Sequence, residues 1–203
     1  MQIISVDALP AQLWRNGAGL TRLIASGAAG QQLIPGQPHL DEADWRISLA
    51  DIQSDGPFST FPGVDRHAVL LGRGAVRLSG PIGGAHALPL TPIAFPGEAE
   101  LHATREPASP AAPHQFLNLM VKRKSMRSEM RVIGSAEVQD AAALLFVLVV
   151  AGEWMFRPAE DGAGDCRLRA RQAGIVRALA AGAVLAPLQA DAKAVLIRLS
   201  NPD

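Results

Sequence analysis

Short runs of alternating apolar and polar residues, cut at close intervals by glycine and proline, dominate the chain. In residues 45–52 (WRISLADI), Trp45, Ile47 and Leu49 fall on one face, while Arg46 and Ser48 fall on the other. Residues 114–121 repeat the pattern, with His114, Phe116, Asn118 and Met120 opposite Gln115, Leu117, Leu119 and Val121. Residues 144–150 (LLFVLVV) are continuously apolar and rich in β-branched side chains, which predicts a strand buried on both faces. The whole apolar run there, 141–152, is shorter than the ~20 residues a membrane helix requires. Further strands are predicted at 2–6, 20–25, 87–90 and 99–103, the last two separated by 91–98. Residues 67–71 and 75–79 flank Gly72-Arg-Gly74 and predict a hairpin. No stretch carries a sustained helical period, so the pattern predicts an all-β sandwich or barrel.

The second half echoes the first. The run 144–150, Gly152 and Trp154-Met-Phe156 repeat the strand, glycine and strand of 67–79, and residues 180–185 repeat 95–100. Duplication of an all-β unit accounts for both echoes. The expected division is a first barrel over 1–130, with N-terminal strands able to pair into the second, and a second barrel over 131–203.

Composition narrows the function classes. The 203 residues are 48% hydrophobic and 19% charged, which excludes a disordered chain, and the zero formal net charge gives no footprint for nucleic acid. The 19 glycines and 15 prolines make about a sixth of the chain, against a usual ~12%, and fit many turns between short strands. One cysteine, Cys166, excludes an internal disulfide, and the N-terminus MQIISVDALPAQL lacks the charged and apolar regions of a signal peptide. The expectation is a cytoplasmic protein with neither a nucleic-acid nor a membrane partner; assembly, if any, would be a homodimer through an exposed sheet.

The usual catalytic patterns are missing. No two of His39, His67, His86, His102 and His114 stand two apart on a strand, so no metal site or cofactor is expected. There is no G-x-S-x-G elbow, and Asn16-Gly-Ala-Gly19 lacks the lysine and hydroxyl ending of a phosphate loop. Those glycines fit a turn with positive φ or a close backbone approach. Arg167, Arg169 and Arg171 read as a charged strand protecting a sheet edge.

One constellation carries chemistry. Arg46 and Ser48 share a strand face, Asp65 and Arg66 close a turn stiffened by Pro57, Pro62 and Gly63, and Asn118 shares a face with His114 and Met120. Arginine offers a planar fork to a carboxylate, and serine and asparagine add neutral hydrogen bonds that fix orientation. Inside a barrel these groups would bind a small polar anion. Equally, Asp65 pairs with an arginine and merely caps the turn; spacing does not decide between the two.

Trp14-Arg-Asn-Gly-Ala-Gly-Leu-Thr21, Asp44-Trp-Arg-Ile-Ser-Leu-Ala50, Gly56-Pro-Phe-Ser-Thr-Phe-Pro-Gly-Val-Asp-Arg66 and Asn118-Leu-Met120 together resemble the HutD/Ves family over most of the first 125 residues. The resemblance implies a bicupin, two antiparallel β-barrel or jelly-roll units in one chain. It further implies a non-catalytic protein of histidine utilisation that binds a small carboxylate metabolite, with N-formyl-L-glutamate the candidate. Carried over position by position, the ligand-binding residues would be Asn16, Thr21, Arg46, Ser48, Ser59, Asp65, Arg66 and Asn118. A cupin enzyme (an isomerase, hydrolase or metal-dependent oxygenase) is the alternative. Three departures stand out: Ala18 replaces a common glycine, Phe116 stands where an aspartate is frequent, and the basic pair is displaced to Lys122-Arg123. An altered ligand would follow if that aspartate took part in binding.

Overall fold

The structure, a computed structural model, describes residues 1–14, 17–28, 43–80, 83–106, 114–160 and 162–202. Two compact units emerge: Leu9–Ser125, and Met1–Ala8 together with Met126–Asp203. Among the described residues the only helical turn is the 3-10 turn Val6–Ala8, which follows β1 (Gln2–Ser5). No helix of the described residues is long and apolar enough to cross a membrane.

The first unit contains β2 (Gln12–Leu13), β3 (Gly19–Gly27), β4 (Trp45–Ile52), β5 (Gly56–Pro57), β6 (Val64–Leu70), β7 (Ala75–Gly80), β8 (Gly83–Ala87), β9 (Ile93–Pro96), β10 (His102–Glu106) and β11 (His114–Lys122). They form a six-stranded sheet, β2-β3-β4-β11-β6-β9, and a four-stranded sheet, β5-β10-β7-β8. Every named pairing is antiparallel. Inner faces of the two sheets meet in one apolar cluster, with Ala50, Ile52, Ala68, Leu70 and Phe116 from the larger and Val76, Leu78, Ala87 and Ala103 from the smaller.

The second unit contains β12 (Arg127–Ile133), β13 (Glu137–Gln139), β14 (Ala142–Ala151), β15 (Glu153–Arg157), β16 (Cys166–Arg169), β17 (Gln172–Leu179), β18 (Ala183–Pro187) and β19 (Lys193–Ser200). With β1 they make sheets β1-β17-β14-β19-β12 and β13-β18-β15-β16. Leu145, Val147, Val149 and Leu196 of one sheet pack with Trp154, Phe156, Leu168 and Leu185 of the other. Strand β14 is buried along nearly its whole length, as its unbroken apolar run predicts.

Two expectations need correcting. Strands β6 and β7 do not form a hairpin: β6 pairs with β11 and β9, while β7 pairs with β10 and β8. Gly72-Arg-Gly74 turns the corner from one sheet to the other, a role with the same glycine demand as a hairpin loop. The segment expected to separate two strands is itself the strand β9, paired to β6 at the sheet edge. Pro96 is tolerated there because an edge strand leaves one side of its backbone without a partner. The arginine stripe does lie on an edge strand, and Arg167 and Arg169 both pair with Glu153. Arg171 lies beyond it, in a turn, paired with Asp7.

Candidate functional site

Register places the polar residues of three neighbouring strands in rows across the inner face of the six-stranded sheet. Arg46 of β4, Met120 of β11 and Arg66 of β6 form the first row. Ser48, Asn118 and Ala68 form the second, and Ala50, Phe116 and Leu70 the third. With strands spaced ~4.8 Å apart, the Arg46 and Arg66 backbones stand roughly 10 Å from each other on either side of Met120. The inner face thus grades from cationic through neutral polar to apolar.

A cavity of about 380 Å³ opens over these rows. Its polar lining includes Thr21, Arg46, Ser48, Ser59, Arg66 and Asn118; Leu13, Trp14, Phe58, Phe61 and Met120 supply most of the apolar wall. The segment following β5 is tied down by backbone bonds from the Phe58 N–H to the Leu101 carbonyl and from the Phe61 N–H to the Gly97 carbonyl, each 2.7 Å. On the other side, the Trp14 indole Nε1 donates to Thr21 Oγ1 at 2.7 Å. The two glycines beside Trp14 have distinct reasons. Gly17 turns the chain at φ 69°, whereas a Cβ on Gly19 would meet the Asp51 carbonyl oxygen and the Trp14 ring.

The electrostatics are unusual for a protein interior. Arg66 is 5% exposed, donates from Nη1 to the Ser59 carbonyl at 3.0 Å, and leaves its buried Nε unpartnered. Its guanidinium carbon lies 5.3, 5.4 and 4.9 Å from the ring centroids of Phe58, Phe61 and Phe95. Burial pushes its pKa down to about 10, which still leaves it charged at neutral pH. Arg46 is also pushed down by burial, and its Nε is likewise unpartnered. The amide oxygen Oδ1 of Asn118 is a third buried polar atom without a partner. Among the described residues, neither arginine has a carboxylate partner. Elsewhere arginines do: Arg22 with Asp51, Arg105 with Asp55, Arg123 with Asp65 and Glu98. The cavity can therefore accept negative charge. Its polar set (two guanidiniums, hydroxyls, two amides and a thioether) does not fit a divalent metal ion, which two fixed positive charges would repel.

Of the expected site residues, the structure brings Thr21, Arg46, Ser48, Ser59, Arg66 and Asn118 to one cavity. Asn16 lies outside the described residues. Asp65 does not reach the cavity; strand alternation turns it away from Arg66, and it meets Arg123 at 2.9 Å with half its side chain exposed. The Arg46 and Ser48 face is the inner one, and Trp45, Ile47 and Leu49 are buried on the opposite face. The aromatic wall was not anticipated, although Phe58 and Phe61 sit inside the Gly56–Arg66 motif three residues apart.

The HutD family model matches residues 6–196. Protein Ves of Citrobacter koseri is 33% identical over 155 residues, covering 76% of this chain and 75% of its own. The structure of HutD from Pseudomonas fluorescens SBW25 superposes with a TM-score of 0.78 at 20% identity, covering 100% of this chain and 99% of that one. An oxalate decarboxylase from Bacillus subtilis matches with a TM-score of 0.61 at 9% identity, over 98% of this chain and 77% of that one. These likenesses, with the all-β antiparallel architecture, make the fold a cupin fold carried twice in the chain.

Proposed function

The chain belongs to the HutD family, and on that premise we propose that it is a non-catalytic protein that binds a small carboxylate metabolite in its first barrel. The observation that carries the reading is the pair of buried guanidiniums, Arg46 and Arg66, lining one cavity with no carboxylate among the described residues to offset them. A buried charge is costly unless paired, so a ligand carboxylate is the natural complement. The unpartnered Asn118 Oδ1 and the Ser48 hydroxyl, one row deeper, suit an N–H and a carbonyl of an amide. N-formyl-L-glutamate, with two carboxylates and a formyl amide, is the candidate, and modulation of histidine utilisation is the corresponding role. Support for binding without catalysis comes from the lining itself: among the described residues it contains hydroxyls but no histidine, aspartate or glutamate to activate them.

A thermal-shift series with N-formyl-L-glutamate and other small carboxylic acids, up to millimolar concentration, tests the reading. Stabilisation of the wild type that disappears in Arg46→Ala and Arg66→Ala is the expected result. No stabilisation by any of the acids would overturn it.

A further inference from the structure

The chain is poor in aromatic residues, with six phenylalanines, three tryptophans and no tyrosine. Five of these nine, Trp14, Phe58, Phe61, Phe95 and Phe116, gather at the cavity or directly behind its wall. Phe58 meets Phe95 edge-to-face at 6.4 Å and 73°, and meets Phe116 at 6.4 Å and 85°. Three of the rings also surround the Arg66 guanidinium. The carboxylate requirement explains the arginines, and beyond their packing on Arg66 and the core, Trp14, Phe58 and Phe61 also present ring surface to the open cavity. A cavity of about 380 Å³ also has room for more than a carboxylate group and falls among small-molecule sites of ~300–1,000 Å³.

We propose that the same cavity also takes aromatic monocarboxylates, the carboxylate on Arg46 and Arg66 and the planar ring against Trp14, Phe58 and Phe61. The inference rests on the carboxylate reading above and adds a second ligand class to it. Rings prefer edge-to-face or offset contact with other rings because of their quadrupoles, so aliphatic groups of similar size bind such a wall less well.

The test is a calorimetric and fluorescence titration of the full chain with four probes: trans-cinnamate, 3-cyclohexylpropionate, glutarate and neutral cinnamyl alcohol. Trp14 supplies the ligand-sensitive part of the fluorescence, since Trp45 and Trp154 are buried away from the cavity lining and emit as a constant background. Cinnamate is expected to bind about two- to tenfold tighter than 3-cyclohexylpropionate, the advantage measured for aromatic contacts beyond their area. Arg66→Ala should abolish cinnamate binding. Phe61→Leu, on a wall residue that is only half-buried, should shrink the ratio of cinnamate to 3-cyclohexylpropionate affinity, while glutarate reads any loss that all carboxylates share through the Phe61 contact with Arg66.

Glutarate binding with cinnamate no better than its cyclohexyl analogue would overturn the aromatic inference and leave the carboxylate reading intact. Cinnamyl alcohol binding as tightly as cinnamate, untouched by Arg66→Ala, would keep the aromatic wall and overturn the carboxylate. Binding of none of the four would overturn both.

Discussion

Replacing Arg66 with methionine should cost the unliganded protein little or no stability while removing its carboxylate binding. Burial brings the guanidinium down to about 10, and at about 1.4 kcal/mol for each tenfold change in proton affinity, keeping it charged costs about 3 kcal/mol. Against this stand a charged hydrogen bond to the Ser59 carbonyl, worth about 1.5 kcal/mol, and contacts with three rings totalling about 2 kcal/mol. Methionine is unbranched and polarizable, so its sulfur–ring contacts return about 1 kcal/mol of the latter. The terms cancel to within about 1 kcal/mol, so Arg66→Met should hold Tm within about 2–4 °C of wild type for a chain of this size. The cost is fully present at neutral pH. It fades only as pH climbs past about 10, where the folded protein sheds the proton before the unfolded chain does, so wild-type stability relative to the variant rises there. Calorimetric melts at pH 7 and pH 10.5, with and without carboxylate, measure both effects. A fall in Tm of more than about 4 °C at pH 7, with no relative recovery at high pH, would refute the reasoning and make Arg66 a structural residue.

Three further outcomes follow from particular contacts. Asp65→Asn should leave carboxylate affinity within about twofold of wild type and cost less than about 1 kcal/mol, because Asp65 and Arg123 form a surface pair away from the cavity; isothermal titration and urea unfolding check this. Gly97→Ala should destabilise by about 1–3 kcal/mol and weaken binding together, since its Cβ would meet the Phe61 carbonyl oxygen and lie 2.7 Å from that of Val64, displacing the loop that carries Phe61; the urea midpoint and a carboxylate titration read the two losses. Stability should fall with acid in two stages. Burial lowers His67 despite the opposing pull of Asp65, so stability declines first as pH drops below about 6.5, where the unfolded chain takes up the proton first. Asp55, Glu98, Glu106 and Glu153 are held below the usual carboxylate range by their arginine hydrogen bonds, so a second decline comes below about pH 4; His67→Gln should flatten only the first in urea midpoints measured across pH.

Much of the barrel was legible because strand alternation is local. Arg46, Ser48 and Asn118 emerged as neighbours from period-two spacing and a motif, and register does place Ser48 beside Asn118. Pairing is not local, and there the reading ran out. Gly72-Arg-Gly74 demands the same turn chemistry whether the next strand returns to its own sheet or crosses to the other, so the corner passed for a hairpin. Alternation also could not say which face of β4 looks inward. This strand lies between β3 and β11, and Trp45, Ile47 and Leu49 on one face and Ser48, Ala50 and Ile52 on the other are all buried. A rule that turns the more apolar face inward would have aimed Trp45 into the barrel and Arg46 out of it. Asp65 lies away from the cavity for the same reason in reverse, since adjacency to Arg66 in sequence sets the two on opposite faces of a strand.

What the sequence could not show at all is the charge imbalance that defines the site. Formal charges cancel over the whole chain, 19 basic against 19 acidic, so composition gives no hint of an anion. The imbalance appears only when each arginine is matched to its neighbours in space. Arg22, Arg77, Arg105, Arg123, Arg131, Arg157, Arg167, Arg169, Arg171 and Arg198 each meet a carboxylate, most of them on exposed strands where such a pair adds little. Arg46 and Arg66, where burial makes an uncompensated charge most costly, meet none among the described residues. Stability alone would favour the reverse arrangement, with partners assigned first to the buried groups. Cavity, unpartnered guanidinium nitrogens and unpartnered amide oxygen together are the ground on which the proposed carboxylate ligand rests.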